Sequence, residues 1–195
     1  MNNISEQNNI RFVVMRNEIG VQGLKDLIEK INLIRDTSEM NMIEIGSYIG
    51  ESTLIFADYF KNVISIDPYV NDDYNKNLLN MANSDQAYDK FMSRIKNIMN
   101  IISFRVSSDE GSFILRNMKY DFVYIDGNCT YEQVKKDIIN YLPLIKSNGF
   151  IGGHYYDKKH NDSVIKAVNE VLFAPDRLFK DSSWLKKISN IKMIA

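Results

Sequence analysis

The chain has 195 residues and a formal charge of −1, from 24 Lys+Arg against 25 Asp+Glu. That length fits one domain with a modest addition, and 45% apolar with 25% charged residues excludes wholesale disorder. The near-neutral balance gives no electrostatic reason to expect nucleic acid or an anionic membrane as partner, and one cysteine excludes an internal disulfide, so a reduced, cytoplasmic setting is expected.

No apolar run reaches the roughly 18–20 residues that span a bilayer. The polar start MNNISEQNNI lacks a charged-then-apolar leader pattern. Residues 1–20 read as an N-terminal segment, whose run IRFVVM (10–15) suits a strand or a lid. Residues 10–20 are a candidate surface for packing on a partner subunit, which keeps a homo-oligomer open. Val21, Leu24, Leu27, Ile28, Ile31 and Ile34 recur at helical spacing, with Lys25, Asp26, Glu29 and Lys30 on the polar face.

A regular alternation follows. MIEIG (42–46), VISID (63–67), ISFRV (102–106), DFVYID (121–126) and FIGGHYY (150–156) read as strands. Between them, 51–60, 84–100, 109–118 and 131–145 read as helices, with SNG (147–149) as a stop; 163–173 is a further helix. LFK and WLKKI near the end suit a terminal antiparallel pair. Short apolar strands alternating with helices predict an α/β fold, a parallel sheet covered on both faces. Ligands of such sheets bind beyond the carboxyl ends of the strands, so the informative residues are those just after each strand.

After the first strand, Gly46 and Gly50 stand four apart in E-x-G-x-x-x-G, leading into a helix. A glycine after a strand allows a tight turn and close approach of a ligand to the backbone; an ordinary strand–helix turn would read the same way. Tyr48 replaces the middle glycine of G-x-G-x-x-G, which argues against a dinucleotide oxidoreductase and fits a nucleoside without phosphates. Glu44 is a carboxylate near the end of a buried strand and needs partners. Asp67 stands about twenty residues after the loop, where a carboxylate accepts ribose hydroxyls in adenosine-binding αβ folds; a solvated turn Asp before Pro68 is the alternative.

IEIGSYIGEST with ISIDPY, and DFVYIDGNCTYEQVKKDIINYLPLIKSNGFIGGHYY, together resemble the class I S-adenosylmethionine-dependent methyltransferases. Within them the chain is similar to the small-molecule and sugar O-methyltransferase branch that includes cephalosporin hydroxylase-like proteins (methyltransferase family 24). The resemblance spans roughly Gly23 to Trp184. It implies a Rossmann-like three-layer sandwich with a seven-stranded, mostly parallel sheet whose last strand is antiparallel, a methyltransferase domain over 21–195, and S-adenosylmethionine above the strand ends. Glu44, Gly46, Ser47, Tyr48, Gly50 and Ser52 would form the methionine and ribose side, Asp67 would hold the ribose, Ser108 and Asp109 would lie by the adenine, and Asp126 would face the sulfonium and the acceptor.

The chain departs from that pattern. Cys129 stands where the branch has the His of I-D-G-x-H, a proposed general base, and Tyr155 where it has the Asp of G-H-D-Y. With one strand-end carboxylate left, a divalent metal is disfavoured though still open, and no metal ligands are assigned. His154 is the candidate base beside Asp126, or else a structural histidine; His160 lies in a polar turn and reads as solvated. Residues 68–83 read as an insertion over the acceptor, with Tyr69, Tyr74 and Met81 as candidate contacts. The expected activity is methyl transfer to a hydroxyl of a sugar or other small molecule, with neither nucleic acid nor membrane as partner. The alternative is a protein that binds S-adenosylmethionine or S-adenosylhomocysteine with lost or altered catalysis, given Cys129 and Tyr155.

Overall fold

The computed structural model describes residues 16–70, 84–158 and 162–189; the run 10–15 lies outside them. Helix α1 (Glu18–Asn32) begins three residues before the apolar period, because the Asn17 side chain accepts the Gly20 N–H at 2.9 Å and caps it. Leu24, Leu27, Ile28 and Ile31 form its buried face. Then come β1 (Asn41–Ile45), α2 (Glu51–Tyr59), β2 (Asn62–Ile66), α3 (Ser84–Ile95), β3 (Ile101–Phe104), α4 (Ser108–Leu115) and β4 (Tyr120–Ile125). The chain ends with α5 (Tyr131–Tyr141), β5 (Ile145–Gly153), α6 (Ser163–Leu172), β6 (Arg177–Leu178) and β7 (Trp184–Lys187).

The strands form one seven-stranded sheet in the order β3-β2-β1-β4-β5-β7-β6. β1 to β5 run parallel, β7 is antiparallel to β5, and β6 pairs antiparallel with β7. Helices cover both faces, as the alternation predicts. Period-2 geometry splits β4 between two cores: Val123 and Ile125 pack with Ile43, Ile151 and Trp184, while Phe122 and Tyr124 pack with Met42, Phe56, Leu24 and Phe150. A smaller cluster of Ile49, Tyr69, Ala87, Phe91 and Ile95 seats α3 beside the β1–α2 loop.

The segment SNG is not a stop. β5 starts at Ile145 and runs through it, with Asn148 at φ +62°. The register on β4 jumps there, from Tyr120 opposite Ile145 to Phe122 opposite Phe150. The helix ends earlier, in a short 3₁₀ turn at Leu142–Leu144 that carries Pro143. β5 also ends at Gly153, so His154 and Tyr155 lie just beyond the strand, with Tyr155 at φ +60°.

Sheet-like pairing continues one residue past the strands. Gly46 N–H donates to Ile66 O at 2.8 Å, Asp126 N–H to Ile45 O at 2.8 Å, His154 N–H to Ile125 O at 3.0 Å and Asp67 N–H to Phe104 O at 3.2 Å. The side chains of Asp67, Asp126 and His154 are thus fixed by backbone around the crossover between β1 and β4, where the connections diverge. Gly46 permits this: at φ +87°, a Cβ built there would meet the Asp126 carbonyl and Gly127 Cα at 2.5 Å each. Gly46→Ala should therefore lower the unfolding free energy by at least the roughly 1–2 kcal/mol of a left-handed alanine. It should also weaken ligand binding, both read in urea melts and calorimetry; an unchanged midpoint would mean the two strand ends are not packed in this way.

Candidate active site

The loop after β1 turns over the sheet through Ser47 and Tyr48, the latter at φ +46°. Asp67 holds that loop. Its Oδ2 accepts the N–H of Ser47 at 3.0 Å and of Tyr48 at 2.9 Å, and its Oδ1 accepts the N–H of Tyr69 at 2.9 Å. A carboxylate has about four lone-pair positions, so one on Oδ1 remains for a ligand hydroxyl. Burial raises the Asp67 pKa, against the three amides that favour the ionised form. Tyr69 is 5% exposed, and its hydroxyl donates to Tyr48 O at 2.9 Å and lies 3.1 Å from Ser47 Oγ. Tyr74, Met81 and His160 lie outside the described residues.

A cavity of about 510 Å³ opens beyond the strand ends, walled by Gly46, Tyr48, Asp67, Ser108, Asp109 and Asp126 among others. Six sequence-predicted residues thus meet in one space. Ser108 opens α4 behind a capping box at Ser107 and Glu110. Its hydroxyl donates to Asp137 Oδ1 at 2.6 Å, and Gln133 Nε2 donates to the same oxygen at 2.9 Å. Asp137 is 1% exposed, and burial pushes its pKa up to about 6. Asp109 turns the other way: Lys136 Nζ lies at 2.6 Å and Asn140 Nδ2 at 3.1 Å. Gln133 and Asp137 share one face of α5 by i, i+4 spacing, a signal the sequence carried and the motif reading passed over.

A smaller recess of about 60 Å³ adjoins the cavity and shares Gly46, Tyr48, Asp126 and Tyr155 with it; Arg16, Ser47, Glu51, Ser52 and His154 complete it. Asp126 carries two partners there. Arg16 Nη2 lies 2.5 Å from Oδ2, and His154 Nδ1 lies 3.3 Å from Oδ1. Burial alone would raise the Asp126 pKa, but Arg16 and then His154 lower it below the ordinary value. His154 Nε2 lies 2.7 Å from the Asp181 carbonyl oxygen and therefore donates to it. Burial disfavours the imidazolium, but Asp126 outweighs that, and the His154 pKa is raised above 6.5. Cys129 is half-buried and shares a small void with His154 and Trp184.

Glu44 and Gly50 line neither space. Gly50, at φ +85°, opens α2 and packs on the Phe91 ring. Glu44 is fully buried beneath the loop, where its two oxygens accept the hydroxyls of Ser52 and Thr53. A divalent ion does not fit the residues present: no group of three or more His, Cys, Asp or Glu converges among the described residues, and Asp126 already faces guanidinium and imidazole. No helix among them is long and apolar enough to cross a membrane.

Strand-end acids, a glycine loop and an adenosine-sized cavity on this sheet order define the S-adenosylmethionine-dependent methyltransferase class. Residues 43–156, more than half of the chain, match a family model described as a methyltransferase domain, and the chain belongs to that family. No curated protein sequence matches it. Among solved structures it is similar to one described as a caffeoyl-CoA O-methyltransferase from Staphylococcus aureus, at 20% identity over 94% of this chain and 87% of that one, TM-score 0.61. It is also similar to the N-methyltransferase NodS from Bradyrhizobium japonicum with S-adenosylhomocysteine, at 15% identity over 95% and 94%, TM-score 0.62. A third is an O-methyltransferase from Bacillus cereus with S-adenosylhomocysteine, at 12% identity over 91% and 94%, TM-score 0.58. At these identities the likeness is one of fold.

Glu44 links the site to stability. Burial raises its pKa from 4.5 to about 7, against the Ser52 and Thr53 hydrogen bonds. The folded state therefore keeps the proton between these values while the unfolded chain releases it. The Glu44 contribution to stability is full below pH 4.5 and is lost as pH rises through about 7, by about 3 kcal/mol. The difference in unfolding free energy between wild type and Glu44→Gln should drift by that amount between pH 4.5 and 8; a flat difference would place Glu44 among ordinary carboxylates.

Proposed function

We propose that the cleft binds S-adenosylmethionine and transfers its methyl group to a hydroxyl of a sugar or other small molecule. The observation that carries this reading is Asp67, pinned by three loop amides at the rim of the 510 Å³ cavity with one acceptor position to spare. In this reading Asp67 takes a ribose hydroxyl at its remaining position, the backbone of Gly46, Ser47 and Tyr48 follows the ribose and methionine, and Ser52 lies at the methionine end. Ser108 and Asp109 lie on the adenine side. Glu44 acts from beneath by fixing Ser52 and Thr53. When bound, S-adenosylmethionine supplies a methyl group activated by its sulfonium.

The remaining work belongs to Asp126 and His154. An alcohol is a weak nucleophile until its proton leaves. The acceptor hydroxyl would donate to His154 Nδ1, which takes the proton while Nε2 stays on the Asp181 carbonyl, and Asp126, held ionised, compensates the imidazolium that forms. The imidazole serves only in its neutral form, so the rate must rise with pH through a midpoint above that of an ordinary histidine. The cavity wall carries Asp67, Asp109, Glu110, Asp126 and Asp137 against Arg105. This disfavours a polyanionic acceptor and supports a small neutral one without nucleic acid or membrane. The lone cysteine suits a reduced, cytoplasmic setting.

Calorimetric titration with S-adenosylmethionine, S-adenosylhomocysteine and NAD tests the cofactor. The first two should bind and NAD should not, and Asp67→Ala should weaken binding by tenfold or more, since hydrogen bonds to a charged group contribute about 1.5–3 kcal/mol. No binding of either sulfur nucleoside overturns the reading. With an acceptor found by screening hydroxyl compounds, His154→Gln should cost about 10²–10⁴ in kcat and remove the rise with pH. A protein that binds both nucleosides but turns over no acceptor would be the catalytically altered alternative.

A further inference from the structure

Two charged residues, Arg16 in the recess and Asp181 behind it, come from outside the matched domain. Arg16 precedes α1, and Asp181 precedes β7. The Arg16 side chain is 5% exposed. Its Nη2 reaches Asp126 Oδ2 at 2.5 Å and the Tyr124 hydroxyl at 3.1 Å, its Nη1 lies 3.5 Å from Asp181 Oδ2, and its backbone N–H donates to Glu51 Oε2 at 3.1 Å. Asp181 accepts Ser183 N–H at 3.1 Å and Ser183 Oγ–H at 2.7 Å. It comes close because residue 23 is glycine: a Cβ there would sit 2.3 Å from the Asp181 carboxylate. The two oxygens of Asp126 are therefore divided, one facing the imidazole and the other the guanidinium.

We propose that Arg16 is a positioning residue that sets the working state of the Asp126–His154 pair, by occupying one carboxylate oxygen and so loosening the hold of Asp126 on the histidine proton. This rests on the reading of His154 as the group that takes the acceptor proton. A buried carboxylate whose sole cationic partner is an imidazolium keeps that proton, because releasing it leaves the carboxylate uncompensated. Arg16 stays charged at any working pH. It compensates Asp126 whichever form His154 adopts, and it repels the imidazolium. The groups facing His154 are Asp126 after β4, Cys129 beyond it, Asp181 before β7, the Tyr155 ring at 4.3 Å, and Arg16 and Glu51 across the recess. Among them Arg16 is the fixed cation, and it acts against the charged histidine.

The test is an NMR titration of His154 in the full-length protein, read against one other histidine and assigned with His154→Gln. Arg16→Gln should move the His154 midpoint upward by at least one pH unit, since one charge roughly 6–10 Å away at an effective dielectric near 20 shifts a pKa by about one to two pH units, and Arg16→Lys should restore most of it. The rise of kcat with pH should move in parallel. Removing one member of a buried pair can unfold a protein. Arg16→Met, which removes the charge and leaves no buried polar group, is the second variant and should show the same upward direction, with Asp181 left in place because its own charge favours the imidazolium. An unchanged midpoint in a folded Arg16→Gln or Arg16→Met variant overturns the proposal. S-adenosylhomocysteine titration of wild type separates the two claims: no binding there, with the midpoint still shifted, supports the Arg16 coupling and overturns the methyltransferase reading of the site.

Discussion

The contact on which this structure depends is the meeting of two chain turns, where Gly46 after β1 lies against the Asp126–Gly127 backbone after β4. There is no room between them for a methyl group. From that contact follow the hydrogen bond of Asp126 to Ile45 and the alignment of His154 on Ile125, the next rung across the sheet. The site is thus an extension of the sheet ladder by one residue per strand. Side chains there inherit the rigidity of the core instead of the mobility of loops.

That rigidity allows four acids to be concentrated in one place. Each is satisfied differently. Glu44 is buried on two hydroxyls and sits near the pH at which it ionises, whereas Asp67 is held by amides. Asp126 is held by side-chain cations, and Asp137 by Ser108 and Gln133. A buried carboxylate without partners costs several kcal/mol, so the partner sets also record which acids are structural. Both oxygens of Glu44 are taken and face away from the cavity. Asp67 and Asp126 keep exposure to it.

Much of the fold was legible because it is written in local periods. The buried faces of α1 and α5 recur at helical spacing, and β1, β2 and β4 are short apolar runs closed by Gly or Asp. The end of α5 was misread because SNG imitates a stop, and nothing local reveals that Asn148 takes a left-handed turn inside a strand paired with β4. At the site, the glycine loop and the strand-end acids could be found because position after a strand predicts position over the cleft. Asp109 shows the limit of that rule. It occupies the expected place, yet the structure turns its carboxylate to Lys136 and Asn140, while Asp137, from a helix, faces the cavity. Arg16 and Asp181 were not readable at all, because Arg16 meets Asp126 and Asp181 across more than a hundred positions of chain, and no local pattern encodes such a pairing.

Asp67 and Asp126 illustrate why residue type alone does not assign a role. Both end a parallel strand, and both are shielded from water. Asp67 is surrounded by neutral donors fixed in the backbone, which hold its charge in one place and leave a directional acceptor position. That arrangement suits a neutral hydroxyl donor, on the proposed reading one of the ribose, without proton movement. Asp126 is surrounded by one permanent and one titratable cation, so the charge balance around it changes when His154 loses its proton. The first arrangement favours recognition, the second favours proton transfer. On the proposed reading, their separation along one row of strand ends sets a fixed receptor on one side of the cleft and a responsive pair on the other, adjoining at Gly46 and Tyr48.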